Sequence, residues 1–186
     1  MKWLFCFALA LCTSKLAAQK ATTGKLTPYA SGAVGLIAGE ATAQGQLQLV
    51  SGIKTGVWYG GIGAAIDYYD TRSVPLFVDL RRDFRHRENT PFVYVDAGYN
   101  LLWQRPGEKT ELEVDSKSGL YYDVGLGYRA ALNTRLHFSI AAGFSGKTFS
   151  RKVQQPTWGG PWPQRPTIEH HRYDLHRVLI KAGLGF

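Results

Sequence analysis

Gly119-Leu-Tyr-Tyr-Asp-Val-Gly-Leu-Gly-Tyr-Arg129 decides how this chain folds. Leu120, Tyr122, Val124, Leu126 and Tyr128 fall on one side of an extended chain, and Tyr121, Asp123, Gly125, Gly127 and Arg129 on the other, because successive side chains of a strand point to opposite faces. One side is apolar and the other mixes charge with glycine. Such a strand divides two chemically different surroundings, and no helical period fits it.

The same alternation returns on both sides of that stretch, in segments at about 29–39, 43–54, 57–69, 74–84, 92–102, 135–145 and 175–186. Trp58, Ile62, Ala64, Ile66 and Tyr68 oppose Tyr59, Gly61, Gly63, Ala65 and Asp67; Val74, Leu76, Val78, Leu80 and Phe84 oppose Phe77, Asp79, Arg81 and Asp83. Arg82 breaks the apolar side of that fourth segment close to its end. Val93, Val95, Ala97, Tyr99 and Leu101 oppose Tyr94, Asp96, Gly98 and Asn100, while Leu136, Phe138, Ile140, Ala142 and Phe144 oppose His137, Ser139, Ala141 and Gly143. The last segment sets Val178, Ile180, Ala182, Leu184 and Phe186 against Leu179, Lys181, Gly183 and Gly185. Most segments are near the ~10 residues with which a tilted strand crosses a bilayer. The pattern predicts an all-β fold, an eight-stranded antiparallel up-and-down transmembrane β-barrel.

A soluble lipocalin-like barrel would show the same rhythm with its apolar face inward, so the direction of the faces has to be decided separately. The apolar faces hold more large side chains than the narrow interior of eight strands accommodates. Glycines share the polar face with charged residues, as suits a crowded lumen. If the first strand runs outward from the periplasm, Trp58, Phe84, Tyr128 and Phe186 fall at periplasmic ends, and Tyr68, Tyr99, Trp103, Tyr122 and Phe144 at outer ends. These are the two aromatic girdles of a membrane barrel. On that orientation the periplasmic turns are short, and long outer connections are expected at about 103–118 and 146–174.

The 186 residues leave room for one domain. Lys2, the apolar run Trp3 to Cys12, and the small pair Ala17 and Ala18 have the organisation of a secretory signal, so residues 1–19 are expected to be removed and 20–186 to form the barrel. The apolar run is shorter than the roughly 20 residues of a spanning helix. Both cysteines, Cys6 and Cys12, lie in that signal, and Leu11 stands where a lipoprotein requires a small residue. Thiol chemistry and a lipid anchor are therefore not expected, and no cofactor is implied. Without the signal's Lys2 and Lys15 the formal charge of +8 becomes +6; no nucleic-acid motif accompanies it, and anionic lipid headgroups are the expected counterpart.

In Pro75-Leu-Phe-Val-Asp-Leu-Arg81, Phe92-Val-Tyr-Val-Asp-Ala-Gly-Tyr99 and Gly119 to Tyr128 the chain resembles the small outer-membrane β-barrel families common in Bacteroidetes-type bacteria, and its strand count resembles the OmpA-like and OmpX-like barrels. The resemblance covers the mature chain and implies a fold and residence in the outer membrane of a Gram-negative cell, with no particular activity. The terminal Phe186, closing the stripe Val178, Ile180, Ala182 and Leu184, is similar to the strand signal that the barrel-assembly machinery recognises in such proteins.

Asp67, Asp79, Arg81, Asp96, Asp123, Arg129 and Lys181 form the expected lumen cluster, a polar plug of mutually neutralising charges. His137 and Ser139, two apart on one face, resemble the His-x-Ser element of outer-membrane lipid A deacylases, but Ile140 replaces that family's Asn and no Glu follows closely; without an orienting carboxylate a triad is incomplete, so catalysis is not expected. His170, His171 and His176 match no defined metal spacing. Trp158, Trp162 and Arg165 mark the last outer connection as a candidate surface for glycan, lipopolysaccharide or a protein partner. The sequence thus favours a non-enzymatic barrel over a lipid A acyl hydrolase or a soluble binding protein. The barrel reading predicts that the chain fractionates with membranes and changes gel mobility on heating; a freely soluble periplasmic protein would refute it.

Overall fold

A computed structural model describes residues 25–39, 42–103, 113–155 and 167–186; the expected signal segment 1–19 lies outside them. Nine strands follow in order: β1 (Thr27–Ala38), β2 (Ala43–Thr55), β3 (Trp58–Asp67), β4 (Ser73–Asp83), β5 (Thr90–Leu102), β6 (Glu113–Lys117), β7 (Gly119–Ala131), β8 (His137–Gln155) and β9 (Thr167–Gly185). β6 and β7 are separated by Ser118 alone, and both pair with β8, so β6 continues the line of β7 beyond a short break. All pairings are antiparallel, and β9 returns to β1. The result is a closed eight-stranded up-and-down barrel, which leaves no unpaired edge facing lipid.

The stagger of the barrel can be followed residue by residue. From Thr27 the register runs through Lys54, Tyr59, Arg81, Tyr94, Gly125, Gly143 and Leu179, and returns to β1 at Ile37, ten residues beyond its start. For eight strands this shear corresponds to a tilt of about 40° and a bore only wide enough to be filled by side chains.

Leucines, isoleucines and valines of the alternating pattern face outward: Ile62 is 72% exposed, and Leu36, Leu49, Val78, Leu126 and Ile140 share its side of the wall. The carboxylates face in, and Asp67, Asp79, Asp96 and Asp123 are fully buried. A lipocalin-like arrangement, with its apolar face inside, is thereby contradicted. Water would not tolerate this outer surface, whereas hydrocarbon favours it. Trp58, Phe84, Tyr128 and Phe186 project at the end where β1 begins and β9 ends; Tyr68, Tyr99, Trp103, Tyr122 and Phe144 project at the other. Arg82, the interruption in the apolar stripe of β4, lies with its guanidinium 5.2 Å from the Trp58 ring centre, at headgroup level where a snorkelling cation is tolerated.

At the terminal end the turns are short. Gly56 joins β2 to β3 with a φ of 60°, a left-handed conformation that glycine adopts without a Cβ penalty. At the opposite end the structure departs from the sequence reading. Much of the stretches taken as connections, 103–118 and 146–174, continues as strand: β8 runs to Gln155, β9 starts at Thr167, and β6 lies alongside β8. Their sequences carry no apolar stripe on the outer face, because above the membrane that face no longer meets hydrocarbon; Lys147 and Phe149 remain buried on the inner face, and backbone pairing extended from the barrel holds the strands.

Ile62 lies near the middle of its span between Trp58 and Tyr68. Ile62→Arg is expected to cost about 2–4 kcal/mol of unfolding free energy, measured by denaturant titration in lipid vesicles. An effect below about 1 kcal/mol would argue that this face does not meet hydrocarbon.

Candidate functional site

The chemistry-bearing side chains of the barrel are concentrated inside it, in layers fixed by the strand register. In the middle layer Asp79 of β4, Asp96 of β5 and Asp123 of β7 are direct cross-strand neighbours. Like charges so placed repel, and each is met by a counter-charge or donor. Lys181 reaches from β9 to place its Nζ 2.9 Å from Asp123 Oδ2, 3.5 Å from Asp96 Oδ2 and 3.0 Å from Gln48 Oε1. Gln48 Nε2 donates to Asp96 at 2.9 Å, and Tyr94 OH donates to Asp123 Oδ1 at 2.9 Å. The same ammonium sits 3.8 Å from the Tyr94 ring centre. Asp79 accepts from Arg81 Nε at 2.8 Å and from Tyr29 OH at 2.7 Å.

Toward the far end, Asp67 accepts from Arg177 at 2.5 Å, and Arg177 also donates to Ser145 Oγ at 2.9 Å. Lys147 lies 3.4 Å from Asp67 and donates to the carbonyls of Tyr69 and Thr71 and to Ser73 Oγ. Toward the terminal end, Arg129 pairs with Asp83, which also accepts from Tyr59 OH at 3.2 Å. Among the described residues the lumen thus couples five carboxylates (Asp67, Asp79, Asp83, Asp96 and Asp123) to five cations (Arg81, Arg129, Lys147, Arg177 and Lys181). Their formal charges cancel, which is the condition for holding so many in so little water.

Small residues make the space for this filling. Gly125 and Gly143 face each other on β7 and β8. A Cβ built on them would come within 2.7 Å and 2.3 Å of the Tyr94 hydroxyl. Gly127 gives the same room to Phe92, and Gly63 to Phe77. The glycine that alternates with charge in the sequence is the clearance for an aromatic residue from a neighbouring strand.

All seven residues of the sequence-derived lumen cluster point inward in this structure, in three ion-pair layers. Arg177 and Lys147, which the sequence reading did not single out, are among the most deeply buried side chains. Continuing the alternation from Lys181 and Leu179 gives Arg177, and continuing it from Gly143 gives Ser145 and Lys147. His137 and Ser139 also face inward and line a cavity at the terminal end; Ser139 Oγ donates to the Gly183 carbonyl at 3.4 Å, and no hydrogen bond joins it to His137 among the described residues. His176 stacks on Phe144 at 5.8 Å and lies 3.1 Å from Tyr122 OH. His171 lies 3.4 Å from Glu169, an odd number of residues from His176 along one strand, and so on its opposite face. Trp158, Trp162 and Arg165 lie outside the described residues. Phe186 exchanges backbone hydrogen bonds with Ala30 of β1 at 2.8 and 2.9 Å.

These features define an eight-stranded transmembrane β-barrel with a filled, charge-paired lumen. No protein-family model matches the sequence, and comparison with curated proteins finds no match. Among solved structures, the chain resembles the outer membrane protein OprG from Pseudomonas aeruginosa, with a TM-score of 0.52 and 12% identity over 88% of this chain and 96% of that one. It also resembles the N-terminal β-barrel domain of Pseudomonas aeruginosa OprF, at 0.51 and 9% over 87% and 100%. The outer membrane protein AlkL, solved in lipid bilayers, aligns at 0.52 and 12% over 91% and 93%. The fold is that of the small outer-membrane barrels.

Lys181→Met would leave Asp96 and Asp123 buried without their cation and is expected to cost about 3–5 kcal/mol of unfolding free energy in vesicles. A loss under about 1 kcal/mol would show that water screens this layer. Gly143→Val should displace Tyr94 from Asp123 and lower the temperature at which heat-modified gel mobility appears; an unchanged transition would contradict the packing role.

Proposed function

We propose that this chain is a non-enzymatic integral protein of the outer membrane, placed there after export and assembled by the barrel machinery through its last strand, with a structural or surface-contact role exerted outside the membrane. The observation that carries this reading is the lumen: paired charges and aromatic rings fill it from Lys147 to the layer of Lys181. Between the cavity at the terminal end and the centre, the void bounded by Arg81, Tyr94 and Lys181 measures about 20 Å³, room for one water. A solute path is not supported by such an interior, and contact chemistry is left to the ends.

The far end offers the reach. β8 and β9 have 19 residues each, about 60 Å of strand; with a tilt of about 40° they extend roughly 20 Å beyond an apolar band about 25 Å tall. Phe149 and Tyr173 stack at 4.9 Å on that extension, with the Arg151 guanidinium within 6 Å of both ring centres. An aromatic and basic hairpin at this height suits lipopolysaccharide, a surface glycan or a protein, and Trp158, Trp162 and Arg165 belong to the sequence between β8 and β9. The alternative of acyl hydrolysis by His137 and Ser139 is disfavoured by their position inside the barrel, away from the outer leaflet.

In planar bilayers the purified protein should give negligible conductance; steady ion currents would overturn the closed lumen. Replacing Trp158 and Trp162 by Ala should abolish binding to cells or glycans, and unchanged binding would remove these two residues from the recognition surface.

A further inference from the structure

At the terminal end the barrel opens into a cavity of about 420 Å³, on the side opposite to the proposed contact hairpin. Its walls combine two kinds of surface. Tyr29, Tyr59 and Phe92 supply aromatic faces, Tyr29 meeting Tyr59 edge to face at 5.1 Å. Around them stand Lys54, Arg81, Arg129 and Arg135, with Asp83 the one acidic side chain among the described lining residues and the Phe186 main chain at the rim.

The charges do not cancel there as they do deeper in. Arg81 is committed to Asp79 and Arg129 to Asp83. Lys54 has no carboxylate within ion-pair distance among the described residues; its ammonium lies 4.9 Å from the Tyr59 ring centre, and the Arg129 guanidinium lies 4.8 Å from the same centre. Two cations therefore converge on one ring beside a single carboxylate. His137 adds a ring nitrogen, Nδ1, that is buried without a hydrogen-bond partner. Glu88 of the adjoining β4 to β5 turn is the further acid facing His137 among the described residues, and it stands among Arg85 and Arg87. The mouth therefore keeps an excess of cations over carboxylates, and a half-buried lysine next to an arginine, with an unpartnered imidazole nitrogen close by and aromatic walls behind, leaves room for an anion. A bare inorganic ion would leave the rings unused, whereas an organic anion satisfies both surfaces.

We infer that this mouth is a binding site for a small organic carboxylate, its charged group held by Lys54 and Arg129 and its apolar body laid against Tyr29, Tyr59 and Phe92. The site is a dead end, since beyond Arg81 only a water-sized void continues inward. The barrel then captures such a molecule from the compartment at its terminal end and does not pass it on. In the proposed orientation that compartment is the periplasm. Nothing in this assignment depends on what the outer hairpin contacts, so each can fail without the other.

The test uses the full mature chain in phosphatidylcholine nanodiscs and isothermal titration calorimetry with 4-phenylbutyrate, the neutral 4-phenylbutanol and inorganic phosphate. The carboxylate is expected to bind at least about tenfold more tightly than either comparison compound, the ratio that loss of one charge-assisted contact or of the apolar body implies. Lys54→Gln should weaken it about tenfold without altering alcohol binding; because Lys54 has no ion pair to lose among the described residues, the variant is expected to keep heat-modifiable mobility. Lys54→Glu should abolish carboxylate binding. Absence of carboxylate binding, equal affinity for acid and alcohol, equal affinity for acid and phosphate, or indifference to both Lys54 variants would each overturn the assignment.

Discussion

Asp79, Asp96 and Asp123 stand side by side on three adjacent strands, shut away from bulk water, and much of the barrel's interior is arranged around that row. At the ~5 Å spacing of cross-strand neighbours and an effective dielectric of about 20, adjacent carboxylates repel by about 3 kcal/mol. Arg81 answers from within the same strand as Asp79, but Lys181 must come from β9 and Gln48 from β2. The row can exist only if strands distant in sequence meet at a fixed height. A register slip of two residues on β9 would put Gly183 or Leu179 where Lys181 belongs, and the central carboxylates would lose their cation. The electrostatics of the lumen and the register of the wall specify each other.

Outside, the constraint is of another kind. Hydrocarbon neither donates nor accepts hydrogen bonds, so the wall must close upon itself, and it does so with a stagger of ten residues on eight strands. That combination fixes a narrow bore. A narrow bore in turn calls for glycine beside several of the large rings, as at Gly125 and Gly143 around Tyr94, and demands that charge be introduced in balanced pairs. The alternation of glycine, aspartate and aromatic residues on the inner face is the solution to this volume problem.

These two constraints explain which parts are legible in the sequence alone. Where a strand separates lipid from lumen, its two faces differ sharply, and segments such as 119–129 and 92–102 announce themselves. Where the chain rises above the membrane, the contrast disappears: Glu113-Val-Asp-Ser-Lys117 has no apolar stripe, and its strand character arises from pairing with the prolonged β8. Lys147 was missed for the same reason, since it lies just past the point where outward residues stop being apolar. The pairing within the lumen cluster was out of reach of a single sequence, because alternation gives the direction of a side chain and not its partner across the bore. That Lys181 serves Asp96 and Asp123, or that Lys54 makes no ion pair among the described residues, depends on the shear of the closed ring.

The exchange of hydrogen bonds between Phe186 and Ala30 has a consequence for how the ring is made and unmade. Counting β6 as the continuation of β7, every other seam joins strands that follow one another in the chain, but the β1 to β9 seam brings together residues more than a hundred positions apart and carries the largest loop-closure cost. It is the natural last step of folding. Once it is formed inside a bilayer, reopening would expose two rows of backbone amides and carbonyls to hydrocarbon at a cost of several kcal/mol for each group left unmet. The persistence of the folded barrel would then be governed by the height of that barrier, a matter of rate, more than by the modest equilibrium balance of its side-chain contacts.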